Sequence, residues 1–464
     1  MDYYGYEIGS IVDWYMTPIY FILITFIVKR NVKFQDAYEE KLFSTGLNLK
    51  LLSAISMALI YVFYYEGGDT IIYMHDANIL KDLFWGKPGV YFDFLFNGLY
   101  DVEQERVNEW KHYFETRSLN IPFFIYRSDE RAFFVVRLVS VFSILTGASF
   151  FACGLVFGTF CYLGTWKIYK LFVEYYPSFR KPLSYTVLFI PSVVFWGAGV
   201  LKDPVTMGAL GFLIYYFHNL LKGRKLLGSI LYIIVFGFFI IAIKPYIFNA
   251  FIVGIGCWLL SNYMVKVKSV VFKALFFPLL LVVSLGAVVG LLSLFSGDTG
   301  KYSFEKALDE AALVQSDLKQ DYYGGHRFDI GPFEPTLAGV LSKAPIAIAT
   351  TLYRPFVWES HNVFVMLSAL ESTVIIVFTF LAIFRIKILN LQGVLLANPL
   401  LFFSFVFSLF FAFFIGLTSA NFGALVRYKI PLMPFYVSMV YILSNYKKLP
   451  KKHQEILPAG VIIT

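Results

Sequence analysis

An acidic motif follows the second long apolar segment of the chain. It reads Glu66-Gly-Gly-Asp69-Thr-Ile-Ile-Tyr73-Met-His75-Asp76. If a helix begins after the glycines, Asp69, Tyr73 and Asp76 share one face of it. A carboxylate partly withdrawn from water gains proton affinity and can take a proton from an attacking hydroxyl group. The spacing therefore predicts a face suited to a general base, while the alternative that Asp69 only caps a helix is compatible with it.

Four basic residues form a second group, at helix ends that the topology below places outside the cell. They are Lys202, Lys244, Arg354 and Arg427. Lysine and arginine normally accumulate in cytoplasmic loops, so cations on the outer side indicate an anionic ligand such as the phosphate of a lipid carrier. The alternative is that each side chain extends to the lipid headgroups or pairs with a neighbouring acid.

A third group surrounds a long polar segment in the second half of the chain. It contains His326, Glu359 and His361, and it leads into an apolar stretch that carries Glu371. A carboxylate inside an apolar helix faces the bundle or a wet cavity, as a functional group or as a hydrogen-bonded structural one. The two histidines lack the spacing of a metal-ligand pair, so we expect no metal and no other cofactor.

The composition places these groups in a membrane protein. Of 464 residues, 58% are hydrophobic and 15% charged, and the mean hydropathy is +0.67. The three cysteines lie in apolar runs, which does not favour a disulfide framework. The net charge of +8 is dispersed over short loops, which argues against nucleic acid as a partner. We therefore predict an all-α, polytopic transmembrane bundle in a single membrane domain, 1–464.

A spanning helix needs about 20 apolar residues, and segments of that length recur along the chain. The sequence predicts about eleven spans: 11–28, 49–65, 149–171, 183–199, 204–221, 227–243, 246–264, 275–295, 360–386, 393–417 and 428–446. Two shorter stretches, 132–147 and 344–357, carry Arg137 and Arg354, and we interpret them as interfacial or re-entrant helices. We expect the first span to be retained, since it has no basic leader and no cleavage site.

The distribution of charge orients these spans. With the N-terminus outside, the loops 29–50, 167–182, 222–225, 266–273, 385–387 and 447–464 face the cytoplasm. These loops hold 21 Lys/Arg and 5 Asp/Glu, against 18 and 26 in the rest of the chain. That asymmetry predicts an outer N-terminus, a cytoplasmic C-terminus and two large extracytoplasmic loops, 66–131 and 296–359. No Gly-rich phosphate loop is found on the inner side, which argues against ATP hydrolysis.

Two further motifs carry a resemblance. Pro191-Ser-x-x-Phe-Trp196 precedes Lys202-Asp203, and a C-terminal segment reads Asn421…Arg427-Tyr-Lys-Ile-Pro431. With the acidic motif of the first outer loop, these segments resemble bacterial membrane glycosyltransferases of the GT-C superfamily and the related O-antigen and exopolysaccharide polymerases. The resemblance implies an inverting transferase in the bacterial cytoplasmic membrane. Its partners would be a polyprenyl-phosphate-linked sugar donor, a glycan or lipid-linked acceptor and membrane lipids.

The resemblance also implies roles for individual residues. Asp69 would be the base, with Asp76 or Glu66 as its helper. The predicted phosphate- and substrate-binding residues are Lys202, Lys244, Arg354, Arg427, Tyr73, His326, Glu359 and His361. A polymerase with the same chemistry is the nearest alternative. A lipid-linked oligosaccharide flippase and a purely structural membrane subunit are the others, although a flippase would be expected to place cations through the whole depth of the bilayer.

Overall fold

Over the residues that it describes, the computed structural model is helical apart from one antiparallel pair of two-residue strands, β1 (Asp2–Tyr3) and β2 (Tyr6–Glu7). The structure describes residues 2–3, 6–7, 9–99, 104–116, 123–264, 313, 328–332, 334, 336–360, 362–386 and 388–448. The chain divides into two compact units, residues 1–168 with 193–245 and residues 169–192 with 246–464. Each unit is described by itself.

Twelve α-helices occupy the described residues up to 264. They are α1 (Ile11–Asn31), α2 (Ala37–Phe63), α3 (Asp69–Gly86), α4 (Pro88–Asn97), α5 (Gln104–Glu115), α6 (Glu130–Leu145), α7 (Phe150–Tyr175), α8 (Arg180–Val187), α9 (Pro191–Trp196), α10 (Lys202–Leu221), α11 (Leu226–Ile243) and α12 (Pro245–Met264). Short 3-10 turns lie at Ile125–Ser128 and Pro177–Phe179.

The described residues beyond 264 form further helices. These are Leu337–Ser342, Ala344–Tyr353, Val363–Ile386, Ile388–Ala397, Pro399–Thr418, Phe422–Tyr428 and Met433–Ser444, with 3-10 turns at Val357–Glu359 and Tyr446–Lys448. The predicted span 275–295 and about half of the predicted outer loop 296–359 lie outside the described residues.

Seven helices among the described residues are long and apolar enough to cross a membrane. They are Ile11–Asn31, Ala37–Phe63, Phe150–Tyr175, Leu226–Ile243, Pro245–Asn262, Val363–Ile386 and Pro399–Thr418. Their number and hydropathy fit a helical membrane protein, as the composition predicted. Helix α10 is long enough for an eighth span but not apolar enough.

Three predicted spans are interrupted in the structure. The stretch 183–199 is split between α8 and α9 in front of Pro191. The stretch 393–417 breaks at Asn398, before Pro399, and 428–446 is divided around Pro431. Proline lacks an amide donor and disfavours helical geometry in the residue before it, which accounts for each break.

Helix α2 begins twelve residues before the predicted span at 49. Asp36 caps its N-terminus, because its Oδ1 accepts the backbone N–H of Glu39 at 2.8 Å. Lys50 therefore lies inside the helix instead of in the cytoplasmic loop 29–50, and this corrects the predicted loop. Its buried ammonium donates to the carbonyl oxygens of Val193 (2.7 Å) and Val194 (3.0 Å).

Close helix packing holds α10, whose first residue is Lys202. A Cβ atom added at Gly164 of α7 would come within 2.1 Å of the carbonyl oxygen of Gly208 in α10. Small residues of this kind let two helix backbones approach closely in membrane bundles. Helix α10 is thereby fixed against α7, and the position of its N-terminus is fixed with it.

Candidate functional site

The acidic motif forms the turn from α2 into α3. Gly68 is the N-cap residue and has a φ of 101°, a conformation that favours glycine. Asp69 is the first residue of the helix, and its half-buried carboxylate lies in the first turn, where the helix dipole stabilises negative charge. The cap position predicted as an alternative for Asp69 belongs to Gly68. Glu66 is exposed in the turn, with a φ of 48°.

One face of α3 contacts the 3-10 turn at 125–128. The hydroxyl group of Tyr126 donates to Asp69 Oδ1 at 3.1 Å. The ring of Tyr73 stacks on the ring of Tyr126, with 4.7 Å between their centroids. Asp76, one turn further along α3, accepts the backbone N–H of Tyr126 at 2.9 Å. The three residues that the sequence placed on one face therefore all meet the same residue.

Asp76 is fully buried and its two oxygens are engaged. Oδ1 accepts the backbone N–H of Ile125 at 3.0 Å and lies 2.9 Å from Nδ1 of His75, while Oδ2 accepts from Tyr126. Backbone amides are fixed donors, so these bonds hold the turn in place against α3. The geometry makes Asp76 a residue that positions Tyr126 and, through Tyr126, the carboxylate of Asp69.

Lys202 forms an ion pair beside this carboxylate. Its Nζ lies 2.9 Å from Oδ2 of Asp129, and the side chains of the two residues are 21% and 46% exposed. Asp129 is also the N-cap of α6, because its Oδ1 accepts the N–H of Ala132 at 3.0 Å. The ammonium group is near enough to Asp69 for an electrostatic interaction. This end of the unit therefore combines a carboxylate, a phenol and a cation.

The surroundings shift the pKa of both members of the pair. Burial lowers the pKa of Lys202 below its ordinary value, an effect that the charge and hydrogen bond of Asp129 partly offset. Burial by itself would raise the pKa of Asp129, but attraction to Lys202 and the hydrogen bonds from Lys202 and Ala132 bring it below its ordinary value. Asp129 is consequently a carboxylate at neutral pH.

Lys244 forms a second ion pair with Asp203, the residue that follows Lys202 in α10. The side chains of Lys244 and Asp203 are 6% and 0% exposed, so the pair is enclosed by the protein. Because a buried charge must stay paired, this lysine ties the C-terminal end of α11 to the first turn of α10. Lys244 therefore differs from Lys202, whose side chain is more exposed.

In the second unit, Arg354 is paired with Glu359, another predicted site residue. The guanidinium Nε lies 2.9 Å and 3.1 Å from the two carboxylate oxygens. The same guanidinium stands over the rings of Phe328 and Phe422, at 5.2 Å and 5.1 Å from their centroids. Arg427 lies in the last turn of the helix Phe422–Tyr428, with its guanidinium over the ring of Tyr428.

Glu371 and Lys429 form a buried polar network in the same unit. Glu371 accepts the backbone N–H of Ser192 at 2.9 Å and its hydroxyl group at 2.7 Å. Lys429 donates to the carbonyl oxygen of Arg354 at 3.0 Å and to the hydroxyl group of Ser372 at 3.1 Å. These bonds connect the residues around Arg354 to the helix that carries Glu371, and they identify Lys429 as part of this arrangement.

The predicted site residues are thus distributed over two units. Asp69, Tyr73, Asp76 and Lys202 come together in the first, which also contains Lys244 and Glu66. Arg354, Glu359 and Arg427 lie in the second. His326 and His361 lie outside the described residues. In the part of the chain that the structure describes, no group of three or more His, Cys, Asp or Glu side chains is arranged to hold a metal ion.

Sequence reasoning missed Tyr126 and Asp129. Asp129 had a signal, because it stands three residues before an apolar run and is a residue type preferred at helix N-caps. Tyr126 had none, since its contact with Asp69 joins residues 57 positions apart. Comparisons with protein-family models, with curated proteins and with solved structures found no match to the chain. The functional assignment therefore depends on the site itself.

Proposed function

We propose that this protein is a membrane glycosyltransferase that uses a polyprenyl-phosphate-linked sugar or oligosaccharide as donor. The observation that carries the proposal is the position of the half-buried Asp69 carboxylate, which contacts the Tyr126 hydroxyl group near the Lys202 ammonium. A proton acceptor next to a cation is what transfer from a lipid-linked phosphate donor requires. The apolar helices α1 and α2 precede this site and are long enough to span a bilayer. The lipid part of a lipid-linked donor would be embedded in the same bilayer.

In the proposed reaction, an acceptor hydroxyl group attacks the anomeric carbon of the donor sugar. Asp69 takes the hydroxyl proton while the new carbon–oxygen bond forms and the bond from the anomeric carbon to the phosphate oxygen breaks. The lipid phosphate leaves with the electron pair of the broken bond. Lys202 stabilises the negative charge that develops on this phosphate, and attack from the opposite side inverts the anomeric configuration.

Tyr126 and Asp76 orient the base in this scheme. The Tyr126 hydroxyl group donates to Oδ1 of Asp69, and this hydrogen bond fixes the orientation in which the carboxylate meets the acceptor. Asp76 holds the backbone of Tyr126 through a charge-assisted hydrogen bond. Lys244 stays with Asp203 and contributes to stability. Of the two lysines, only Lys202 is exposed enough to exchange its carboxylate partner for a phosphate.

We place about eleven spans in the cytoplasmic membrane of a bacterium, with the N-terminus and the loop 66–131 outside. The excess of Lys and Arg in the alternate loops supports this orientation. Asp69 would then lie at the outer face, where lipid-linked sugars are used for surface polysaccharide assembly.

The test replaces Asp69, the proposed base, and expresses the variant in cells whose chromosomal copy of the gene is deleted. We expect Asp69→Asn to abolish the surface glycan or its lipid-linked precursor, while the protein remains at normal abundance in the membrane. Asp82→Asn is the matched control, because Asp82 is an exposed carboxylate on the same helix that pairs at the surface with Lys81. We expect the control to support wild-type glycan levels. Normal glycan in the Asp69→Asn strain would contradict the proposal.

A further inference from the structure

A groove runs between α1 and α2, near the turn that joins them. Its volume is about 680 Å³, and it is lined by Phe21, Ile22, Thr25, Phe26, Lys29, Arg30 and Asn48. The other end of α2 leads into the turn before Asp69. The groove is therefore separated from the proposed catalytic site by most of the length of a membrane-spanning helix.

The residues that line the groove change from apolar to basic along it. Phe21, Ile22 and Phe26 supply an apolar wall, and Lys29 and Arg30 lie in the last turn of α1. Neither cation is a member of an ion pair among the residues that the structure describes. A groove with an apolar wall and two cations at its end complements a molecule with a long hydrocarbon chain and an anionic head.

Two polar atoms inside the groove support the same conclusion. Thr25 Oγ1 and Asn48 Oδ1 are buried, and neither has a hydrogen-bond partner within the described part of the chain. Buried polar atoms in a membrane protein cost free energy unless they are satisfied. A ligand with polar groups between its hydrocarbon chain and its anionic head would satisfy them.

We propose that this groove binds one anionic phospholipid. An acyl chain lies against the apolar wall, the ester region meets Thr25 and Asn48, and the phosphate pairs with Lys29 and Arg30. The hydroxyl group of Thr25 donates to an ester carbonyl oxygen, and the amide of Asn48 offers either a donor or an acceptor. Basic pockets between spanning helices bind anionic headgroups in this way. The inference is independent of the proposed transferase activity.

The experiment measures retained lipid on the full-length protein. The chain is purified from nanodiscs that contain equal amounts of phosphatidylglycerol and phosphatidylcholine, and bound lipids are counted by native mass spectrometry. We expect one retained phosphatidylglycerol per chain. Removing both cations in Lys29→Gln/Arg30→Gln lowers its affinity about 25-fold, from roughly a fivefold contribution per cation.

Two further variants separate a site from general attraction to lipid. Lys222→Gln/Arg224→Gln removes the same charge from the exposed turn between α10 and α11, and we expect it to retain phosphatidylglycerol as the wild type does. Ile22→Trp fills the groove without changing the charge and should reduce retention. Equal loss in the Lys222/Arg224 variant, or equal retention of phosphatidylcholine by the wild type, would overturn the proposal. Displacement of phosphatidylglycerol by equimolar polyprenyl phosphate would also overturn it, because it would assign the groove to the carrier lipid.

Discussion

Lys202 and Lys244 form ion pairs with carboxylates in the same unit, but the two pairs have different surroundings. Lys202 and Asp129 are partly exposed, and the lysine also feels the charge of Asp69. Lys244 and Asp203 are enclosed. A partly exposed pair contributes little to stability and can exchange partners. A buried pair cannot lose one member without leaving a charge in a medium of low polarity.

This difference assigns separate tasks to two residues that sequence reasoning had grouped together. Both were predicted to bind phosphate because both are cations at outer helix ends. Lys202 retains that role in our proposal, whereas Lys244 serves as the counter-ion of Asp203. Burial, which the residue type does not reveal, distinguishes them.

The largest effect is expected from breaking the buried pair. Lys244→Ala leaves Asp203 without its cation and should destabilise the fold by about 3–5 kcal/mol. The purified protein in detergent should unfold at a clearly lower temperature than the wild type. The matched variant Lys202→Ala should lose no more than about 1 kcal/mol, because its pair is partly exposed. Equal destabilisation by the two substitutions would remove the distinction between the pairs.

Lys202→Met should separate activity from stability. It removes the cation but keeps an unbranched side chain, and we expect glycosyl transfer to fall about 10²- to 10³-fold, as for loss of one charge-stabilising group. Thermal unfolding of the purified variant should change little. Wild-type transfer rates in Lys202→Met would show that the exposed pair has no part in the reaction.

Tyr126→Phe should lower the rate of glycosyl transfer less than Lys202→Met does. The substitution removes the hydrogen bond to Asp69 but retains the ring that stacks on Tyr73. We expect about a tenfold lower rate with normal folding, since a hydrogen bond to a charged group contributes about 1.5–3 kcal/mol and part of it is replaced by water. An unchanged rate would show that Asp69 is oriented without Tyr126.

The smallest expected effect is on the pH dependence of the transfer rate. The pKa of Lys202 lies below its ordinary value of 10.5, mainly because of burial. As the pH rises through that pKa, Lys202 loses its charge and the transfer rate should fall. Lys202→Arg keeps the charge, because arginine stays protonated, and should move this alkaline decline to higher pH. A decline at the same pH in both proteins would assign it to another group.

Much of the local structure around the site could be predicted from the sequence. The helical spacing of Asp69, Tyr73 and Asp76 placed them on one face because that spacing follows from helix geometry. Apolar length likewise located the seven long helices. The pairing of Lys202 with Asp129, 73 positions away, could not be predicted, because it depends on how α6 and α10 pack. Lys50 was misplaced because hydropathy located the apolar part of α2 while Asp36 determines where the helix begins.

The most direct test of the central claim uses purified protein in nanodiscs with the lipid-linked glycans extracted from the producing cells. Mass spectrometry would follow the release of polyprenyl phosphate or pyrophosphate in a single turnover. We predict release by the wild type and by Asp82→Asn, and a rate about 10²- to 10⁴-fold lower for Asp69→Asn, as expected when a general base is lost. Equal release by Asp69→Asn and the wild type would contradict the assignment of Asp69 as the base.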